Sequence, residues 1–382
     1  MEKLQSPLKY RAATYKTYES PLEITTEEAD VFDDAREGQP LKDDSTMLIK
    51  VHAAALNPVD ILLKAATPKV IFASRTKGFG RDYSGTVVRA GARVTAELGF
   101  RAGDSVMGMY RLPFGKGTVA EYVHVNPFKQ TAVTKFDPAQ LSYEKAAAWP
   151  LAGGTAYTCL FDYVKIDGWT PAGGSHPDRA ILVLGGSTAV GRYIIQIAKN
   201  VLGVGRIVAV CSGASAEEVR SLGATHIVDY KAVKPGESYA TAVKALGFKY
   251  DLITDCVGGR EILSSAAAGT DIHDFLKPKS EGSAYVTLTG DAKLKYARMP
   301  PVLGAIVCKT RELSSRIGLL CYKYVVIMTE PSRAWAKAFG DWIAEGKVLV
   351  EIDSVHDMDK VQDAVDRLAS NQARGKVVVR VE

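Results

Sequence analysis

At 382 residues the chain is long for one hydrophobic core, and two domains is the natural expectation. Its net charge of +5 is modest, with acidic and basic residues interspersed, so nucleic-acid binding has no compositional support. No apolar run is long enough to span a bilayer, and there is neither a low-complexity tract nor a repeat of fixed period.

In chain order, Arg11 to Tyr18 and Met47 to Ala55 are predicted strands, with a turn-rich, acidic surface loop from Glu27 to Asp44 between them. The N-terminus has no apolar core of signal-peptide length. It is basic up to Ser20, like a mitochondrial presequence, but the strand-like alternation from Tyr10 to Tyr18 leaves little chain for a cleaved segment. A cytoplasmic protein is expected.

Asn57-Pro58-Val59-Asp60 opens a helix: proline suits the first turn and asparagine the cap before it. Gly78 to Val88 leads into a strand, Gly91 to Gly103 is predicted as a loop, and Gly117 to Val125 is another strand. Short strands with glycine turns suggest a compact β-rich barrel. A helical stretch, Ser142 to Tyr163, then crosses to the next domain.

The most informative stretch is Arg179 to Val201. Ile181 to Leu184 reads as a strand buried on both faces, and Val190, Ile194, Ile195, Ile197, Ala198 and Val201 recur at helical spacing. Between them lies a turn of small residues, Gly185, Gly186, Ser187, Thr188, Ala189, Val190 and Gly191. Strand, glycine-rich turn and helix form the first half of a dinucleotide-binding unit, whose bare N–H groups and helix dipole face a pyrophosphate. Predicted strands at Arg206 to Cys211, His226 to Asp229, Tyr250 to Cys256 and Ala284 to Leu288, with a helix from Ser215 to Leu222, extend it into a doubly wound parallel sheet. The second strand ends where the ribose-recognising residue belongs, and no acid stands there. Ser212 can donate to a phosphate oxygen, so NADPH is expected over NADH, with Arg220 or Lys231 as sources of charge. The five cysteines are scattered, without a CxxC pair or a His cluster, and read as reduced structural thiols.

Taken together, Asn57-Pro58-Val59-Asp60, Gly80-Arg81-Asp82-Tyr83-Ser84-Gly85, Gly103-Asp104-Ser105-Val106, Ala120-Glu121-Tyr122, Leu151 to Tyr157, Gly185 to Gly191 and Ala373 to Val378 form a recognisable order. It resembles the quinone-oxidoreductase-like, zinc-free branch of the medium-chain dehydrogenase/reductases over nearly the whole chain. The resemblance implies an α/β protein: a GroES-like β-barrel catalytic domain (1–149 and 330–382) and a Rossmann-type NADPH-binding domain (150–329), with the active site in the cleft between them. It also implies reduction of quinones or activated double bonds, and a homodimer paired through its cofactor domains.

Zinc-dependent relatives carry a cysteine where Asn57 stands and Gly-His-Glu where this chain has Gly80-Arg81-Asp82, so no metal is expected. Asn57 is then a hydrogen-bond donor near the nicotinamide or the substrate carbonyl. The resemblance places Tyr230 beside the adenine ribose, and Thr155, Cys256, Val257 and Leu288 in the nicotinamide-pocket wall. For the proton donor, the family tyrosine is replaced by Leu62 and Leu63, leaving Asp60, Lys64 and Tyr83 as candidates. Each also has a plain structural reading: a helix first-turn acid, a solvated charge and barrel packing.

Residues 293–323 depart from the family pattern as an insertion mixing apolar residues with Lys293, Lys295, Arg298, Lys309, Arg311, Arg316 and Lys323. It is a packed wall or dimer cover, or a surface for peripheral contact with an anionic membrane. Tyr322 to Met328 is predicted as the last strand and Ser332 to Ala344 as the helix returning to the barrel. The expected function is an NADPH-dependent reductase of quinones or enones. Its alternatives are an enoyl-thioester reductase and a nucleotide-binding regulatory protein without turnover.

Overall fold

The computed structural model describes residues 6–17, 19–32, 40–65, 76–111, 115–129, 131–234, 236–291, 293 and 302–382, the side chains of 302–307 excepted. In its parallel sheet the strands lie in the order His226–Asp229, Val204–Cys211, His176–Leu184, Leu252–Asp255, Ala284–Thr287 and Tyr324–Val326. The apolar runs that define these strands are almost wholly buried, as a sheet covered on both faces requires. After His176–Leu184 the chain builds two strands outward on one side, then returns to add Leu252–Asp255 on the other. The crevice of a doubly wound sheet opens at such a switch point, at the carboxyl ends of the strands. Here Gly185 and Cys256 stand on its two sides, and the Cys256 N–H donates to the Leu184 carbonyl at 3.0 Å.

The second sheet is a barrel-like array in the order Ile352–Asp357, Lys376–Arg380, Met47–Ala55, Asp82–Ala90, Ser105–Tyr110 and Thr131–Lys135, with Tyr122–Val125 also paired to Met47–Ala55. The central strand Met47–Ala55 shifts register twice against Asp82–Ala90, and such bulges bend a sheet toward closure. Two strands from the far end of the chain thus complete the N-terminal lobe, and Lys376–Arg380 lies directly against Ala53 to Ala55.

Helix Pro150–Tyr157 joins the lobes, packed between helices Ala189–Asn200 and Arg333–Ala344. Its adjacent glycines give it unusually close neighbours. A Cβ on Gly153 would stand 2.7 Å from the Phe339 ring, and one on Gly154 2.8 Å from Trp335. The aromatic core between the lobes occupies that space: Trp149 stacks on Phe339 with ring centroids 4.6 Å apart and meets Trp335 edge-on.

Several predicted elements are corrected. Gly91 to Gly103 contains a helix, Ala92–Leu98, closed by Gly99 in the left-handed conformation. The predicted loop from Glu27 begins inside a strand, Glu23–Ala29, paired with Leu8–Tyr15, while 33–39 lies outside the described residues. The stretch Ser142 to Tyr163 divides into Tyr143–Ala147, Pro150–Tyr157 and a π-turn at Thr158–Asp162, because Pro150 has no N–H to continue a helix and starts a new one.

The insertion forms a helix, Val302–Arg316, against the edge strand Tyr324–Val326. Lys295 and Arg298 lie outside the described residues, as do the side chains of Val302, Leu303, Ile306 and Val307. Arg311 turns inward onto Asp291 at 2.8 Å and Tyr322 at 3.0 Å, and Lys309 and Arg316 share the buried Glu312. Leu313, Ile317 and Leu319 remain exposed. No helix among the described residues is long and apolar enough to cross a membrane.

Candidate active site

At the start of helix Pro58–Ala65 the capping falls to Asp60. The Asp60 carboxylate accepts the Asn57 N–H at 2.7 Å, the acid half of a capping box. The Asn57 side chain is therefore released from capping and turns into the protein. Its Nδ2 donates to Asp82 Oδ2 at 2.8 Å, and its Oδ1 accepts from the Lys376 ammonium at 2.6 Å. Lys376 also reaches Asp82 Oδ2 at 3.1 Å, while Asp82 Oδ1 accepts the Leu151 N–H at 2.8 Å. Asn57, Asp60, Arg81, Asp82 and Lys376 are all buried. Asp82 thus joins the helix of one lobe, the barrel strand and the start of the inter-lobe helix.

Electrostatics explain why the cluster is tolerated. Two carboxylates without partners could not remain charged there. Burial pushes the Asp60 carboxyl up to about 7, opposed by the Arg81 guanidinium 3.6 Å away and by the Asn57 N–H. Burial raises Asp82 as well, opposed first by Lys376. When both acids are ionised, the two cations balance them.

This arrangement reassigns several expected residues. Asn57 spends both ends of its carboxamide inside the protein and is not set as a donor to a substrate carbonyl. Tyr83 lies within the barrel core, its hydroxyl 2.9 Å from Thr131 Oγ1, and burial raises its pKa. Lys64 places its ammonium 5.7 Å from the centre of the Tyr15 ring, and partial burial lowers its pKa. Lys376, Arg81 and Asp82 are the members that sequence reasoning did not name as site residues. Lys376 stands in the Gly375-Lys376-Val377 tail motif, where only a family signal draws attention to it.

The donor set does not suit a catalytic zinc. A zinc site gathers about three thiolate, imidazole or carboxylate ligands. Here Arg81 and Lys376 bring positive charge where lone pairs are needed, and among the described residues no three His, Cys, Asp or Glu side chains converge.

The cofactor turn fits a dinucleotide. Gly185 has φ +83°, and a Cβ there would come within 2.5 Å of Val257. A Cβ on Gly191 would stand 2.3 Å from the Gly185 carbonyl, so this glycine lets the helix start lie against the turn. Thr188 caps helix Ala189–Asn200 by accepting the Gly191 N–H, which leaves the Ala189 and Val190 N–H groups of the first turn without helical acceptors. Gly186 packs where a side chain would meet Ala209, and the Ser187 carbonyl accepts from Arg192 Nε at 3.1 Å.

Behind the turn, one face of this helix is stitched to the segment leading into the barrel. Arg192 pairs with Glu351, Gln196 exchanges two hydrogen bonds with Leu349, and Asn200 donates to the Lys347 carbonyl.

The remaining cofactor candidates lie around the same crevice. Ser212 follows the second strand, its hydroxyl 3.3 Å from that of Ser215, and Tyr230 is exposed with Lys231 over its ring. A carboxylate intrudes: Asp229 Oδ2 lies 2.5 Å from where a Gly213 Cβ would stand. Burial and, after it, Asp229 raise the pKa of Cys211 while Arg220 lowers it, so both charges reach this corner. On the opposite wall Thr155 donates to the Leu151 carbonyl and meets Thr329 at 2.9 Å. Cys256 is buried, whereas Val257, Leu288 and the exposed Met328 follow successive strands and present an apolar row.

Comparison with known proteins agrees with this geometry. Residues 222–379 match the zinc-binding dehydrogenase family and residues 43–135 the alcohol dehydrogenase GroES-like domain. The chain is 35% identical over 379 residues to Protein YIM1-2 of Lachancea thermotolerans, covering 97% of this chain and 98% of that one. It is 32% identical over 383 residues to Protein YIM1 of Saccharomyces cerevisiae, again covering 97% and 98%. A quinone oxidoreductase from Coxiella burnetii has the same fold, with a TM-score of 0.72 at 23% identity over 98% of this chain and 100% of that one. With a GroES-like barrel, a Rossmann-type sheet and relatives along its whole length, the chain belongs to the medium-chain dehydrogenase/reductase superfamily, a family of oxidoreductases.

Proposed function

We propose that the protein is an NADPH-dependent, zinc-independent oxidoreductase that reduces a quinone or an α,β-unsaturated carbonyl compound. The observation that carries this reading is the Lys376 ammonium bonded to Asn57 and Asp82, which fills with fixed charge the place where a zinc-dependent relative holds its ligands. The cofactor, when bound, supplies a hydride. The chain's own part is to hold the diphosphate on the N–H groups of the 185–191 turn and to offer the apolar row Val257, Leu288 and Met328 to a flat or conjugated acceptor. Asn57, Asp60, Lys64 and Tyr83 are engaged elsewhere, which supports an acceptor whose reduced form takes its proton from water.

NADPH oxidation followed with a quinone, an enone and a crotonyl thioester tests the reading. Turnover with either of the first two supports it, turnover with the thioester alone favours the enoyl-thioester alternative, and binding of NADPH without turnover favours a regulatory role. For partners we propose a homodimer through the outer edge of the Tyr324–Val326 strand, with Leu313, Ile317 and Leu319 in its cover. Sedimentation velocity that finds only monomer would remove that proposal. A cytoplasmic location is supported by five free cysteines.

A further inference from the structure

The opposite end of the parallel sheet, away from the cofactor crevice, carries a second concavity. The loops that feed the amino ends of its strands border an open cavity of about 460 Å3, lined by Lys165, Arg179, Lys279, Ser280 and Gly282 with the acids Asp167 and Glu281. Gly282 brings its two sides together: it has φ +81°, and a Cβ there would stand 2.3 Å from the Lys165 carbonyl, so only glycine lets the two loops approach this closely.

Five cations, Lys165, Arg179, Lys277, Lys279 and Lys323, gather here against three acids, Asp167, Asp251 and Glu281. Among the described residues Lys165, Lys279 and Lys323 have no carboxylate within ion-pair distance. Lys279 donates instead to the Ser315 carbonyl at 2.9 Å, and Lys323 to the Tyr163 carbonyl. Arg179 and Lys277 share a single acid, Asp251, at 2.6 and 2.9 Å, and Asp251 also accepts the Ala180 N–H. Lys323 stands near enough to Lys165 and Lys279 for both to depress its pKa, after burial. Elsewhere on this chain basic side chains are commonly matched to acids, as in Arg367 with Asp353 or Arg192 with Glu218. Gathering ammonium groups around a concave site costs free energy unless an anion completes it.

We propose that this cavity is a binding site for a soluble phosphate-bearing anion, distinct from the dinucleotide turn. Its size suits a small phosphorylated molecule, and none of the lining residues is apolar, which argues against a lipid whose chains must be accommodated. Lys165 and Lys279 supply charge, and the Ser280 hydroxyl supplies a hydrogen-bond donor.

The test is calorimetric titration of the full chain with inorganic pyrophosphate at low ionic strength, beside Lys165→Glu/Lys279→Glu and Lys165→Ala. Both variants change exposed side chains, and an unchanged melting temperature without ligand confirms that they fold. The expected result is binding by the wild type that weakens by about tenfold or more in the double variant and less in the single one, a loss of about 1.4 kcal/mol or more. Wild-type heats no larger than those from sodium chloride at equal ionic strength would overturn the proposal. So would equal binding by wild type and double variant, since the anion would then sit on the dinucleotide turn.

Discussion

Lys376 donates to Asn57 across 319 positions of sequence, at 2.6 Å, and the same ammonium reaches Asp82 at 3.1 Å. The last barrel strand is thereby tied to the start of the first helix and to the strand beneath it. Replacing Lys376 by methionine removes the cation and leaves the fully buried Asp82 carboxylate with only neutral donors. The expected loss is about 3–5 kcal/mol of folding stability, measured by denaturant unfolding. Asp82→Asn combined with Lys376→Met is expected to recover part of it, because no unpaired charge remains.

The pH dependence follows from Asp60. Its carboxyl takes a proton more readily in the folded chain, at about 7, than at the ordinary value of 3.8, because burial disfavours the charge. The folded state therefore binds the extra proton, and the stability gained is fully present below 3.8 and is lost as pH rises through about 7. Asp82 and Asp255 are raised too and act in the same sense. Unfolding measured at about pH 5 and about pH 8 is expected to show a smaller difference for Asp60→Asn than for the wild type. An equal difference would mean that Asp60 does not titrate in this window.

Gly191→Ala tests the turn. The new methyl would meet the Gly185 carbonyl at 2.3 Å and push the helix start off the turn. Dinucleotide affinity, followed by fluorescence or calorimetry, is expected to fall by about tenfold or more. A change at Gly205, which also has backbone close by but lies at the other end of its strand, is expected to affect stability and not affinity.

Two opposed charges, Asp229 beside Gly213 and Arg220 acting on Cys211, are expected to set cofactor preference. Asp229→Asn is expected to raise the ratio of kcat/KM for NADPH over NADH, and Arg220→Ala to lower it. If neither ratio moves, the 2′-phosphate is read elsewhere, with Lys231 the next candidate.

How much of this was legible depended on how local each signal was. The parallel sheet and its turn were plain because buried β-branched runs and a glycine cluster each carry their message within a few residues. Helix Ala92–Leu98 was hidden because Gly91 and Gly103 at its margins look like loop punctuation, although a glycine such as Gly99 closes it. Strand Glu23–Ala29 was hidden because an exposed edge carries the charges of a loop, here Glu23, Glu27 and Glu28. The site was legible only in part. Asn57 and Asp82 were singled out in motifs, but their engagement depends on a lysine from the far end of the chain, and no spacing rule predicts that. The cap at Asn57 was likewise half right, since Asp60 does the capping and Asn57 turns inward.

The stitching of helix Ala189–Asn200 through Arg192, Gln196 and Asn200 bears on how cofactor affinity is inherited. These residues fall at every fourth position, one face of the helix, and each engages the backbone or side chain of residues 347–351. The helix pitch, and with it the aim of the free amides at its tip, is set partly by a segment that belongs to the returning barrel chain. Substitutions at Lys347, Leu349 or Glu351 can therefore retune nucleotide binding with no atom near the ligand. A screen for altered coenzyme use confined to the glycine turn would pass over them.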